Sequence, residues 1–148
     1  MTAPREATTS ARKIADLRAR VARVRELLPP DEDTFLAHRT EAEALILNLY
    51  LALQGASDLA LHVVADRGLG VPADARSAFE ILARGGIVPT DLARSLAAAI
   101  GLRNRIAHEY GALDLTLVYE AARDDLGDLL ALAAAIALAY SASPPPSG

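Results

Sequence analysis

The residues of this chain that could do chemistry are concentrated in one short run, Arg103-Asn104-Arg105-Ile106-Ala107-His108-Glu109-Tyr110. The run interrupts a stretch otherwise made mostly of alanine and leucine. Histidine titrates near neutrality and can give or take a proton. Arginine stays charged and forks onto phosphate oxygens, where it stabilises developing negative charge. Asparagine can orient a partner, and tyrosine offers a hydroxyl. On a helix Asn104 and His108 are four apart and share a face. Arg103 and His108 are five apart, roughly 140° around the axis. A long arginine bridges part of that offset, and a helix end at Gly111 is expected to loosen it. The set suits metal-free phosphodiester cleavage, in which an RNA 2′-OH attacks its own phosphate. It also fits a plainer description: a polar helix end, with Arg103 and Arg105 paired to acidic neighbours and His108 complementing the helix dipole. Composition and spacing alone favour the plainer description.

The elements that carry this run are helices. Of 148 residues, 52% are hydrophobic and only 4% aromatic, so strong helix formers dominate over strand formers. The fold class is all-α. One domain over residues 10–140 is expected, between disordered tails at 1–9 and 141–148, the second carrying Pro144-Pro145-Pro146. The chain has no cysteine, which excludes disulfides and thiolate metal sites. His38, His62 and His108 share no ligand spacing, so no metal and no cofactor is expected. The formal net charge of −4 argues against a generic nucleic-acid binder but leaves room for a local basic site. The N-terminus lacks an apolar signal core. The longest apolar run, Leu129 to Tyr140, falls short of the roughly 20 residues a bilayer span needs. A soluble, cytoplasmic protein with no membrane contact is the expectation.

About five helices are expected, in a bundle built around two long antiparallel ones. The first begins near Ser10 as N-cap, carries Ile14, Leu17, Val21, Val24 and Leu28 on one stripe, and stops at Pro29-Pro30. The second starts in Asp31-Glu32-Asp33 and runs to about Val64, with a bend expected at Gly55. A third, from about Ala73 to Arg84, ends at Gly85-Gly86. Thr90-Asp91 opens the fourth, which carries the polar run to Gly111. Asp114 caps a fifth with Leu115, Val118, Ala122, Leu126 and Leu130 at helical spacing.

Other candidates carry less. Gly68-Leu69-Gly70 has no third spaced glycine and reads as a turn. His62 stands in an apolar run and reads as a packed helix histidine. Glu41/Glu43 and Asp124/Asp125 read as solvated helix surface.

The run 103–110 resembles the Arg-Asn-x-x-x-His-x-Tyr signature of HepT toxins, a branch of the HEPN superfamily. Phe79-Glu80-Ile81-Leu82-Ala83-Arg84-Gly85-Gly86-Ile87-Val88 is similar to the family's segment before the motif helix. The loop ending in Pro72 and Asp114-Leu115-Thr116-Leu117-Val118-Tyr119 extend the likeness over about residues 33–130. The resemblance implies a HEPN-type bundle and a metal-independent ribonuclease, the toxin of a type VII-like toxin–antitoxin pair. It implies Arg103 as phosphate clamp, His108 as general acid–base and Asn104 as the polar residue beside the arginine. It also implies a homodimer whose two motifs line one cleft. In that family the toxin is paired with MntA, a minimal nucleotidyltransferase that transfers AMP to the motif tyrosine, here Tyr110. Negative charge and bulk added two residues from His108 would oppose phosphate binding. Some HEPN proteins act instead as non-catalytic subunits that partner a nucleotidyltransferase, and that alternative stands beside the nuclease. Arg105 falls at a variable position of the signature. The N-terminal helix lies outside the likeness.

Overall fold

A computed structural model describes residues 4–142, with side chains over 8–141. Its elements in order are α1 (Pro4–Leu27), α2 (Glu32–Ala37), α3 (Arg39–Asp66), α4 (Ala75–Arg84), α5 (Thr90–Glu109), a 3-10 turn (Tyr110–Ala112), α6 (Leu115–Asp124) and α7 (Leu126–Ala142). No strand occurs among the described residues.

The centre of the bundle is α3, which packs against α1, α2, α4, α5 and α7. Its Leu45, Leu49, Leu53, Leu59, Val63 and Val64 are buried. It is also the one described helix long and apolar enough to cross a membrane; here those side chains form the protein core. The α1 stripe expected from periodicity is real, with Ile14, Leu17, Val21 and Val24 buried. It lies antiparallel on α3: Ser10 Oγ meets His62 Nε2 at 3.0 Å, and Arg20 Nη1 donates to Asn48 Oδ1 at 2.8 Å. Rising numbers on one helix meet falling numbers on the other, as the two-helix expectation requires.

Several boundaries differ from expectation, each for a local reason. The first helix begins at Pro4, since proline is accepted in a first turn where its missing N–H has no partner anyway. Ser10 is therefore not an N-cap; it is a buried residue, 1% exposed, bonded to His62. The expected second helix is two, and the break falls at His38 (φ −118°, ψ 86°) rather than at Gly55. There the His38 ring Nδ1 donates to the Thr34 carbonyl at 2.9 Å, capturing an acceptor at the end of α2. Phe35 anchors that short helix against Tyr119 on α6, ring centroids 5.6 Å apart. The expected fifth helix also divides, at Asp125 (φ −100°, ψ −8°). Ser141 belongs to α7 rather than to a tail. The proline run at 144–146, and the tail expected there, lie outside the described residues, as do residues 1–3.

The caps follow the sequence more closely. Asp74 accepts from Ser77 N at 2.9 Å in a capping box, which holds its carboxyl below the usual range. Asp114 accepts from Thr116 N at 3.0 Å. At the end of α4, Ile87 N reaches Leu82 O at 2.9 Å and Gly86 N reaches Ala83 O at 3.0 Å. That paired closure needs the left-handed Gly86, φ 77°. The end of α7 is tied to the end of α3: Tyr140 donates to Asp66, Arg67 Nη2 donates to the Ala139 carbonyl, and the Arg67 guanidinium lies 4.6 Å from the Tyr140 ring centre.

Two glycines should respond oppositely to alanine. Gly55 sits inside α3, and an added Cβ would meet only Leu17 Cδ1, at 3.9 Å. Gly55→Ala should raise stability by about 0.5–1 kcal/mol through the lower entropy of the unfolded chain. Gly86→Ala should lower it by about 1–2 kcal/mol, because alanine resists the left-handed region. Urea denaturation of the two variants beside wild type checks both signs.

Candidate active site

Helix α5 buries Ala93, Leu96 and Ile100 against the bundle. Continuing that stripe by three residues reaches Arg103, so a guanidinium occupies a position where the pattern calls for an apolar side chain. It is half-buried against α3 and meets polar residues placed there to receive it. Arg103 Nη1 donates to Gln54 Oε1 at 3.2 Å and to Ser57 Oγ at 3.3 Å. Arg103 Nε and Nη2 both donate to Asn104 Oδ1, at 3.2 and 2.9 Å. Ser57, fully buried, in turn donates to the Leu53 carbonyl at 3.1 Å. Gln54 Nε2 donates to Asp58 Oδ1 at 3.0 Å, which fixes the amide so that its oxygen faces Arg103.

Every acceptor that touches Arg103 is an amide or hydroxyl oxygen. Neither Arg103 nor Arg105 forms an ion pair among the described residues, so the plainer description, with both arginines paired to acids, does not hold. Neutral acceptors orient the guanidinium while leaving its full charge uncompensated. Four N–H groups are engaged of the five arginine carries, so one remains on Nη2 for a ligand. A half-buried, oriented, unpaired cation is a site for an anion with oxygens to share.

The other motif residues are placed around it. Asn104 is in direct contact with Arg103. His108 is exposed in the last turn of α5 and makes no side-chain hydrogen bond among the described residues. After Glu109 (φ −128°, ψ 26°) the chain tightens into the 3-10 turn, where the sequence pointed to a looser end at Gly111. Tyr110 thereby turns toward α3. It is 50% exposed and borders an open, largely apolar concavity with Glu43, Ile46, Leu47, Tyr50 and Ile106, about 620 Å³ in volume. Arg105 faces the opposite side of α5. It lines a cleft with Arg76, Glu120, Asp124, Asp125 and Asp128, about 590 Å³. Burial, then the neighbouring Asp128, Asp124 and Glu120, raise the Asp125 carboxyl above its usual range. So acidic a cleft repels phosphate, and Arg105 stands apart from Arg103.

Sequence reasoning missed Gln54 and Ser57. Their signal was present: two polar residues three apart, one turn of helix, inside the apolar Leu49–Leu61 stretch of α3. What was not present was any hint of what they faced, 49 and 46 residues away.

Known proteins resemble this chain in sequence and in fold. The mRNA nuclease HepT of Shewanella oneidensis is 29% identical over 116 residues, 78% of this chain and 86% of that protein. A solved structure of a tri-AMPylated Shewanella oneidensis HEPN toxin in complex with MNT antitoxin superposes with a TM-score of 0.79 at 27% identity, covering 86% of this chain and 96% of that one. YutE of Bacillus subtilis shares the fold alone, with a TM-score of 0.77 at 13% identity over 94% of each chain. The family model described as ribonuclease HepT-like matches residues 12–136, which include all of α2 to α6. The chain is a member of the HepT-like ribonuclease family.

Proposed function

We propose that this chain is a toxin of the HepT type, a metal-independent ribonuclease silenced by transfer of AMP onto Tyr110. The observation that carries the proposal is Arg103, oriented by Gln54, Ser57 and Asn104 yet paired with no carboxylate. A phosphodiester supplies the missing counter-charge. It meets an arginine already held in place, so little ordering is left to do on binding. The neutral His108 imidazole takes the proton of an RNA 2′-OH as that oxygen attacks the adjacent phosphorus. Charge gathers on the non-bridging oxygens, where Arg103 stabilises it. The P–O5′ bond breaks, the leaving oxygen receives a proton, and a 2′,3′-cyclic phosphate remains. In a homodimer that joins two motifs, the second His108, protonated, donates to the leaving oxygen. Two copies of Arg103 and His108 would also concentrate positive charge in a protein of net charge −4.

The half-exposed Tyr110 hydroxyl, with no hydrogen bond among the described residues, suits modification by a nucleotidyltransferase partner. Its oxygen attacks the α-phosphorus of ATP, pyrophosphate leaves, and the phenolic proton passes to solvent or to a base on the transferase. The new phosphodiester adds negative charge and bulk two residues from His108, in competition with RNA. The open concavity around Tyr110 also fits the second reading, a non-catalytic subunit presenting this surface to the transferase. The two readings divide on RNA cleavage.

Purified protein made without a partner, with Tyr110 shown unmodified by intact mass, should cleave total cellular RNA. His108→Ala should lose roughly 100-fold or more in rate with its oligomeric state unchanged by light scattering; cleavage equal to wild type would sink the nuclease reading. Tyr110→Phe should keep cleaving RNA and, incubated with the transferase and ATP, gain no adenylate mass. Gln54→Leu should lower cleavage by about tenfold, the loss of one hydrogen bond to a charged group. Gln54→Glu keeps an acceptor but adds a counter-charge to Arg103, and should lose at least as much. Retention of activity in Gln54→Glu would mean that geometry alone, and not the free charge, is what the cradle provides.

A further inference from the structure

The cations of this chain are distributed unevenly. Residues 8–27 of α1 carry Arg12, Lys13, Arg18, Arg20, Arg23 and Arg25 against Asp16 and Glu26, a local net of +4 in a protein of net −4. The buried face of α1 is Ile14, Leu17, Val21 and Val24, which forces these charges outward. At 100° per residue, Arg12, Lys13, Arg20 and Arg23 fall on one side of the helix, with Asp16 among them and Glu26 at the edge, where it pairs with Arg23 at 3.0 Å. From Arg12 to Arg23 that row is roughly 16 Å long at helical rise.

The row borders the groove between α1 and α3. Asp16, Leu17, Ala19 and Arg20 form one wall, and Leu51, Gln54, Gly55 and Asp58 the other, around about 590 Å³. Gln54 is the residue whose amide oxygen receives Arg103. The groove therefore runs from the α1 cations to the back of the Arg103 cradle. Among the described residues Arg12 forms no ion pair and Arg20 donates only to the Asn48 amide oxygen. As at Arg103, the charge of Arg20 is oriented by a neutral acceptor and left uncompensated.

We infer that the outer row of α1 is an RNA-binding surface, which holds single-stranded RNA beside the Arg103 site and extends it. The inference rests on the ribonuclease reading for its ligand class. Phosphates lie along Arg12, Lys13, Arg20 and Arg23. Bases turn toward the groove, where the exposed Asp16 and Asp58 carboxylates accept from exocyclic amino groups and the partly exposed Leu51 offers apolar surface. The carboxylates that would repel a phosphate in the groove thus favour this orientation over the reverse. Single strands expose base edges to such contacts, whereas duplex RNA hides them.

The test is binding of a fluorescently labelled, 2′-O-methylated single-stranded RNA, which cannot be cleaved, followed by anisotropy across a salt series. The variant is Arg12→Gln/Arg20→Gln/Arg23→Gln, on exposed positions. The control, Arg39→Gln/Arg94→Gln/Arg123→Gln, removes the same charge from exposed positions elsewhere. The α1 variant should bind about tenfold or more weakly, with a salt slope shallower by about 2, near 0.7 for each phosphate no longer neutralised. The control should retain most of the affinity. Equal weakening in both would mean that only net charge matters and would overturn the assignment, as would wild-type affinity in the α1 variant. A variant that binds RNA normally but no longer captures the nucleotidyltransferase would overturn it in favour of a protein-docking face. Because the probe is uncleavable, each of these outcomes leaves the His108 cleavage experiment to stand or fall separately.

Discussion

A guanidinium held against the core without a counter-ion is the constraint on which the site depends. Arg103 lies where the buried stripe of α5 continues, and an unpaired charge there is tolerable only if its N–H groups are satisfied. Gln54, Ser57 and Asn104 satisfy four of them with uncharged oxygens. A carboxylate in place of any one would stabilise the cation more and leave less attraction for phosphate. On the proposed function, the arrangement trades local stability for an anion site that is already oriented, as expected where binding energy must act on a developing charge.

That choice constrains the helices around it. α3 must present Gln54 and Ser57 toward α5 while presenting Leu17-facing residues such as Gly55 toward α1. A continuous α3 fixes those two directions relative to each other. The flanking breaks serve the same end. His38 lets α2 turn so that Phe35 reaches Tyr119, and the 3-10 turn after Glu109 takes Tyr110 out of the line of α5. Tyr110 thus turns away from the line of α5, half-exposed at the rim of the open concavity.

Much of this was legible in the residue order. The α1 stripe, the Asp114 cap, the Gly85-Gly86 stop and the polar run at the end of α5 each rest on contacts within one or two turns, so spacing suffices to find them. The two helix breaks did not announce themselves. The segment from Asp31 to Val64 keeps one helical period across His38, and only the backbone angles and the anchoring of Phe35 show that the helix restarts. Ser10 had the residue type of a cap, but its partner, His62, lies 52 positions away. Gln54 and Ser57 were visible as polar residues in an apolar helix and could not be given a purpose, because their partner sits on another helix.

By itself, then, the sequence determined the fold class, the helix that carries the candidate site and the residue types at Arg103, Asn104, His108 and Tyr110. It determined the charge asymmetry of α1 as well. Only the tertiary structure decided that Arg103 is oriented and unpaired while Arg105 is turned away toward an acidic cleft. The physical reason is range. Periodicity, capping and propensity are local, and they reveal which side chains share a helix face. Whether a charge meets a carboxylate, an amide or open solvent depends on which face of another helix is brought against it.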